Sequence, residues 1–205
     1  MKIASKLAIA AFAATGIAAA APGVSGEVLA SPRPDAWQRE VTVCTGGASS
    51  KEVVPAKGSA ASIFRPIGIV VHWQGLKKCP PGAIQIRFSG DTRPGAFPGA
   101  LAYALPYEGT QVVVFLDRIQ KSIEDSFTSA LLAHVMVHEI THILQGVSRH
   151  SDSGMMKARW EAAEHLTMSW RPLPFTPDDV AMIRHGFERK DVLLSASGKA
   201  GGGHR

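Results

Sequence analysis

Two histidines four residues apart, inside a long apolar run, constrain this chain more than any other feature. The run is Leu131 to Gly146, LLAHVMVHEITHILQG, and it contains His138-Glu139-Ile140-Thr141-His142, an H-E-x-x-H pattern. On a helix, residues four apart lie nearly above one another, about 6 Å apart along the axis. Imidazoles so placed can share one zinc ion. The glutamate between them points to the flank of the same site, where it can take a proton from a zinc-bound water. Two surface histidines would give the same pattern, but the surroundings argue otherwise. Steps of about 100° per residue put Leu131, His134, Val135, His142 and Gln145 on the face of His138. Leu132, Ala133, Met136, Val137, Ile140, Ile143 and Leu144 fill the opposite arc. The expectation is one helix with an apolar face on a core and a histidine face on a cleft. Ser122 to Asp125 offers a capping-box-like start with serine as N-cap, and Gly146 is a suitable C-cap.

A hydrolytic zinc needs three protein ligands and one open position. His150 follows the helix stop closely enough to fold back toward His138 and His142, and is the expected third ligand. Glu161 and Glu164, on a following helical stretch, are the competing candidates. His134 shares the histidine face; with three ligands already supplied, it reads as a residue behind the ligands or on the cleft wall.

The stretch HEITHILQGVSRHS followed by GMM resembles the metzincin metallopeptidases, whose pattern is H-E-x-x-H-x-x-G-x-x-H and then a tight turn with a methionine beneath the zinc. Among them the matrixins are nearest in flavour, because serine follows the third histidine there. GALAYALPYEGTQVVVFLD, Gly99 to Asp117, resembles the matrixin substrate-binding edge strand. These stretches cover about a third of the mature chain. Gln145 stands where the family has glycine and Ser148 where it has the third histidine. Gly146 comes one residue late and His150 two late, so the loop is longer. The resemblance implies an α+β, zincin/metzincin-like fold: a small twisted mixed sheet, an active-site helix and C-terminal helices. It implies His138, His142 and His150 as ligands of one catalytic zinc, and Glu139 as catalytic base. It also implies Met156 as the turn methionine, and Ala102, Tyr103 and Ala104 as substrate-binding residues. Tyr103 replaces a histidine that helps hold a structural zinc in matrixins, so no second zinc is expected.

The rest of the chain fits one domain. Residues 1–21 have the order of a secretory signal: Lys2 and Lys6, an apolar stretch from Leu7 to Ala14, then small residues. Cleavage is expected near Ala20 or Ala21, with a site after Ala30 as the alternative. Loss of the two lysines lowers the formal charge from +5 by two, to +3. The basic residues are scattered without interleaved aromatics, which speaks against a nucleic-acid partner. Residues 22–35 read as a flexible lead-in, 36–190 as the zinc peptidase domain, and 191–205 as a disordered tail carrying His204. Strands are expected at Glu40–Thr45, Ile67–Trp73 and Ala83–Phe88, with a helix at Glu52–Phe64 between the first two. A hairpin spans Ala100–Leu105 and Gln111–Leu116, and helices follow at Glu161–Met168 and from Thr176 to about Glu188. His72 falls inside a strand and reads as an ordinary side chain. Cys44 and Cys79 are the only cysteines. In an exported chain a single pair is expected to form a disulfide, the alternative being two buried thiols.

These readings converge on a secreted or periplasmic zinc-dependent endopeptidase, monomeric, without a stable membrane span after processing, acting on a peptide or protein. Two alternatives stand beside it. One is a gluzincin-type peptidase with Glu161 or Glu164 as third ligand. The other is a secreted zinc- and peptide-binding module that does not cut.

Overall fold

The computed structural model describes residues 37–47, 50–89 and 99–200, the last eight of these for their backbone only. The expected signal (1–21) and lead-in (22–35) lie outside the described residues, as do 201–205 and nearly all of the loop expected at Ser89–Pro98.

A β-branched first strand seeds the sheet. In β1 (Arg39–Gly46), Val41, Val43 and Cys44 are buried. It lies between β2 (Ile69–Gly75) and β3 (Ile84–Ser89), parallel to both. Parallel neighbours need a crossover, and α1 (Val53–Phe64) supplies it between β1 and β2. Ala56, Ala60, Ile63 and Phe64 give α1 its buried side. β5 (Gln111–Phe115) continues the parallel set beside β3. The fifth strand, β4 (Ala102–Ala104), runs antiparallel to β5 and forms one edge, giving the order β2-β1-β3-β5-β4. Val43, Ile86, Val112 and Val114 from this sheet are fully buried with Leu132, Met136 and Ile140 in one core.

The histidine run is α3 (Thr128–Gln145), and nearly every residue from Leu131 to Gln145 is buried. The expected division between a core face and a cleft face holds, with the cleft face mostly buried as well. The apolar arc packs into the core, while the histidine face is covered by the chain that follows the helix. Asp125–Gln145 has the length and hydropathy of a membrane span, but 83% of the relevant window is buried inside the protein. It is a core helix by packing. Gly146 ends α3 in the left-handed region, φ 67°, with its N–H donated to the His142 carbonyl.

The start of α3 differs from expectation. Ser122 is the last residue of a short helix, α2 (Leu116–Ser122), and its hydroxyl donates backward to the Ile119 carbonyl. Ile123 is extended, which breaks the helix, and a 3-10 turn at Asp125–Phe127 leads into Thr128. Burial of Leu116 and Ile119 holds α2 in place, a tertiary effect that outweighs the capping signal of Ser122.

α4 (Ala162–Met168) opens with a capping box between Glu161 and Glu164. α5 (Pro177–Ala200) opens with a second one: the Asp179 N–H reaches the Thr176 hydroxyl and the Thr176 N–H reaches the Asp179 carboxylate. α5 runs to Ala200, well past Glu188 and into the stretch expected as disordered tail. No proline interrupts Glu188–Ala200, so the helix has no local stop there. Its packing is close: a Cβ at Gly186 would run into the Leu144 carbonyl of α3. Arg39 of β1 is paired with Asp191 at 3.0 Å, beyond the expected helix end.

Cys44 and Cys79 are joined, with Cα atoms 5.7 Å apart. The bond ties β1 to the turn after β2 and leaves no free cysteine among the described residues. The loop it closes, 35 residues in sequence separation, corresponds to roughly 3–4 kcal/mol of stabilisation. Reduction should therefore lower the urea midpoint substantially, and alkylation of the folded, unreduced protein should add no groups by intact mass. Two added groups on folded protein would refute the bond.

Candidate metal centre

Each histidine of the pattern is oriented by a backbone carbonyl. His138 Nδ1 lies 2.9 Å from the Met155 carbonyl oxygen, and His142 Nδ1 lies 3.0 Å from that of Val147. A carbonyl can only accept, so each Nδ1 carries the proton and each Nε2 presents a lone pair. The two Nε2 atoms stand 3.1 Å apart. Neutral rings in this tautomer cannot hydrogen-bond to each other. Protonating one of them is opposed by burial, which pushes His138 down to about 3 and His142 down to about 4. A cation between the two nitrogens satisfies both. Tetrahedral coordination with Zn–N bonds near 2.0–2.1 Å places ligand nitrogens about 3.3 Å apart, close to the separation seen.

His150 completes the group. Its ring lies 5.3 Å from His138 and 4.9 Å from His142, centre to centre. One nitrogen from each of the three histidines falls within 4.8 Å of the others. His138 and His142 are buried and His150 is exposed, so the third histidine stands on the solvent side. The two glutamates weighed against it are engaged elsewhere. Glu164 meets Lys157 Nζ at 2.5 Å and accepts the Glu161 N–H at 2.8 Å, and Glu161 caps α4.

His134 is a buried support. Its Nδ1–H is donated to the Ala130 carbonyl at 2.7 Å, and its Nε2 accepts the Leu173 N–H at 3.1 Å. Both nitrogens are occupied, and the ring fastens the segment between α4 and α5 onto α3.

The turn after His150 packs against the histidines through the Met155 carbonyl, which accepts from His138 Nδ1. Gly154 accepts the Lys157 N–H at 3.3 Å, with Met155 and Met156 at the centre of the turn, both fully buried. Gly154 has φ 73°, and a Cβ there would run into the Pro174 carbonyl oxygen. Met155 donates its N–H to that same oxygen and gives its own carbonyl to His138. Met156, expected as the turn methionine, accepts the Ser151 N–H at 2.8 Å through its carbonyl.

Asp179 was visible in the sequence only as an acid in a first helical turn. Its carboxylate is 1% exposed and also accepts the Ser151 hydroxyl at 2.5 Å. Ser151 directly follows His150, so a buried acid of α5 anchors the residue next to the third histidine. The missed signal is the serine: a hydroxyl beside a ligand needs a partner when it is drawn inward.

A cleft of about 580 Å³ opens on this group. His138, Glu139 and His150 line it, with Gly99 to Ala102 along one wall and Lys157 to Trp160 along the other. Ala102 is the one residue of the three expected substrate contacts that lines it. Tyr103 packs its ring 5.9 Å from Phe115, and Ala104 pairs with Val112. Burial raises the Glu139 carboxyl to about 8. His72 is half-exposed, with its Nε2 3.4 Å from a Glu40 carboxylate oxygen, and it does not belong to the three-histidine group.

The fold and donor set together define an α+β, zincin/metzincin-like domain with three histidines able to hold a metal ion. The crystal structure of archaemetzincin from Methanopyrus kandleri is similar, with a TM-score of 0.53 and 10% sequence identity, over 74% of this chain and 96% of that one. At that identity the likeness speaks for the fold. No family model matches the sequence, and a search of curated proteins gave no match.

Two outcomes follow from the geometry. The folded-state histidine values lie below the ordinary 6.5, so the unfolded chain takes up protons first as pH falls. In metal-free Glu139→Gln protein, where the carboxyl raised to about 8 no longer opposes the trend as pH changes, the histidine contribution should be complete above pH about 6.5 and be lost progressively toward the folded values of about 4 and 3. Urea titrations of this metal-stripped variant at stepped pH measure this, and a flat profile from pH 7 to 5 would contradict it. Asp179→Ala should weaken metal retention against a chelator more than Asp178→Ala does, because only Asp179 holds Ser151.

Proposed function

We propose that this chain is a zinc-dependent endopeptidase working in an oxidising compartment, secreted or periplasmic. The observation that carries the reading is the pair of Nε2 lone pairs 3.1 Å apart, with Glu139 lining the same cleft. The archaemetzincin-like fold supports it, since a metzincin fold matches where the histidine pattern points. The Cys44–Cys79 bond supports the compartment. His138, His142 and His150 are the proposed ligands, with Met156 in the turn below.

Zinc bound there supplies Lewis acidity for a peptide carbonyl and for water, and its charge draws the Glu139 carboxyl back down from the value that burial alone gives. Glu139 accepts the proton of the attacking water and returns it to the leaving amine. β4 lies at the sheet edge and can align an extended peptide by backbone pairing, bringing one bond to the histidines. Burial of His138 and His142 keeps both imidazoles neutral and available as ligands at neutral pH.

Glu139→Gln keeps size and hydrogen-bonding capacity but cannot serve as a base. The variant should fold and retain about one zinc per chain like the parent, while hydrolysis of an unfolded protein falls by about 10²–10⁴. Equal rates in parent and variant would remove Glu139 from the mechanism. A zinc-loaded parent that cuts nothing in a broad peptide library would favour a binding module. In parallel, His150→Ala should empty the site more than Glu161→Ala or Glu164→Ala. The reverse result would favour the gluzincin alternative.

A further inference from the structure

We infer that Arg159 makes the cleft selective for peptides bearing a carboxylate close to the bond that is cut. The inference rests on the peptidase reading and adds the substrate class. Arg159 lines the cleft together with Glu139 and His150, and it is exposed. Its neighbour in the wall, Lys157, is already paired with Glu164 at 2.5 Å. Arg159 has no hydrogen-bond or ion-pair partner among the described residues. The guanidinium is therefore the uncompensated fixed charge of this wall.

The wall beneath it is held in place. Trp160 donates its indole N–H to the Gly154 carbonyl at 3.2 Å, and its ring stands edge-on to His138 at 5.4 Å between centres. The backbone that carries Arg159 is thus fixed to the turn beside the histidines, so the side chain starts from a set point in the cleft wall. Among the described residues the only acid lining the cleft is Glu139, beside the histidines. A substrate carboxylate that reaches this wall meets the Arg159 guanidinium, which would hold it at a position flanking the reacting bond. A planar guanidinium matches a carboxylate with two parallel hydrogen bonds. The carboxylate can belong to a Glu or Asp side chain or to the C-terminus of the peptide.

The test uses zinc-loaded protein and fluorescein-labelled peptides in matched sets: Glu against Gln beside the cleavable bond, and free acid against amide at the C-terminus. Binding is read by polarisation on the Glu139→Gln background, and cleavage on the parent. An exposed pair of this kind corresponds to a preference of up to about fivefold, weakened by added salt. Arg159→Gln should erase the preference through KM with kcat little changed, and Arg159→Glu should invert it toward Lys-bearing peptides. The Glu/Gln and acid/amide sets tell a side-chain source from a C-terminal one. Indifference of the Arg159-intact protein to both carboxylates overturns the inference while leaving the peptidase reading standing. A preference unchanged in both Arg159 variants overturns it as well. Absence of any cleavage, alongside a retained Arg159-dependent binding preference, would instead count against the peptidase reading and for the carboxylate site.

Discussion

Two neutral imidazoles, held in one tautomer inside a nearly fully buried helix, are the constraint around which the molecule is arranged. Neither His138 nor His142 can turn, because each Nδ1–H is fixed to a carbonyl supplied by chain that comes after the helix. Those carbonyls belong to Met155 and Val147, so the segment from Gly146 to Met156 must fold back over α3 for the rings to be set. That fold-back narrows the histidine face to a cleft lined by His138, Glu139 and His150. Apolar packing on the opposite arc and hydrogen bonding on this one bury the same helix by two different means. Binding of a cation would join the two sides, and its free energy would add to that of folding.

The periodic and punctuated parts of the fold were legible in the sequence. β1, the α1 crossover, the hairpin and the starts of α4 and α5 each carry a local signal: alternation, a proline early in a helix, or a capping pair. The local signal misled where burial decided. Ser122 has the chemistry of an N-cap, yet Leu116 and Ile119 extend a helix up to it and turn its hydroxyl backward. The far end of α5 has a glycine- and serine-containing composition that suggests a loose tail, although its backbone is helical to Ala200. Composition describes what solvent would tolerate, whereas the helix is continuous with a packed segment around Gly186.

At the site, spacing within one element was readable and spacing between elements was not. His138 and His142 are fixed by a single helical turn. The partners of the second rank, Asp179 and Pro174, are more than twenty residues away from His150, and no local pattern joins them. His134 shows the same division. Its position on the histidine face follows from periodicity, but its occupation by the Ala130 carbonyl and the Leu173 N–H depends on where the later chain returns.

The longer approach to the third histidine has a structural account. His150 follows His142 by eight residues, where the metzincin pattern has six. Extra residues in a loop add conformational freedom that would loosen a ligand, although the entropic cost rises slowly with length. Here the loop is tied along its course. Gly146 turns it in the left-handed region, Val147 accepts from His142, and Ser148 donates to the Tyr107 hydroxyl of the β4–β5 turn at 3.4 Å. Ser151 is then held at both its N–H and its hydroxyl, by Met156 and Asp179. These contacts come from α3, the sheet's hairpin, the methionine turn and α5. A loop fastened by four separate elements can absorb two residues without releasing the histidine it carries, which explains how the fold keeps a three-histidine cluster while departing from the spacing it resembles.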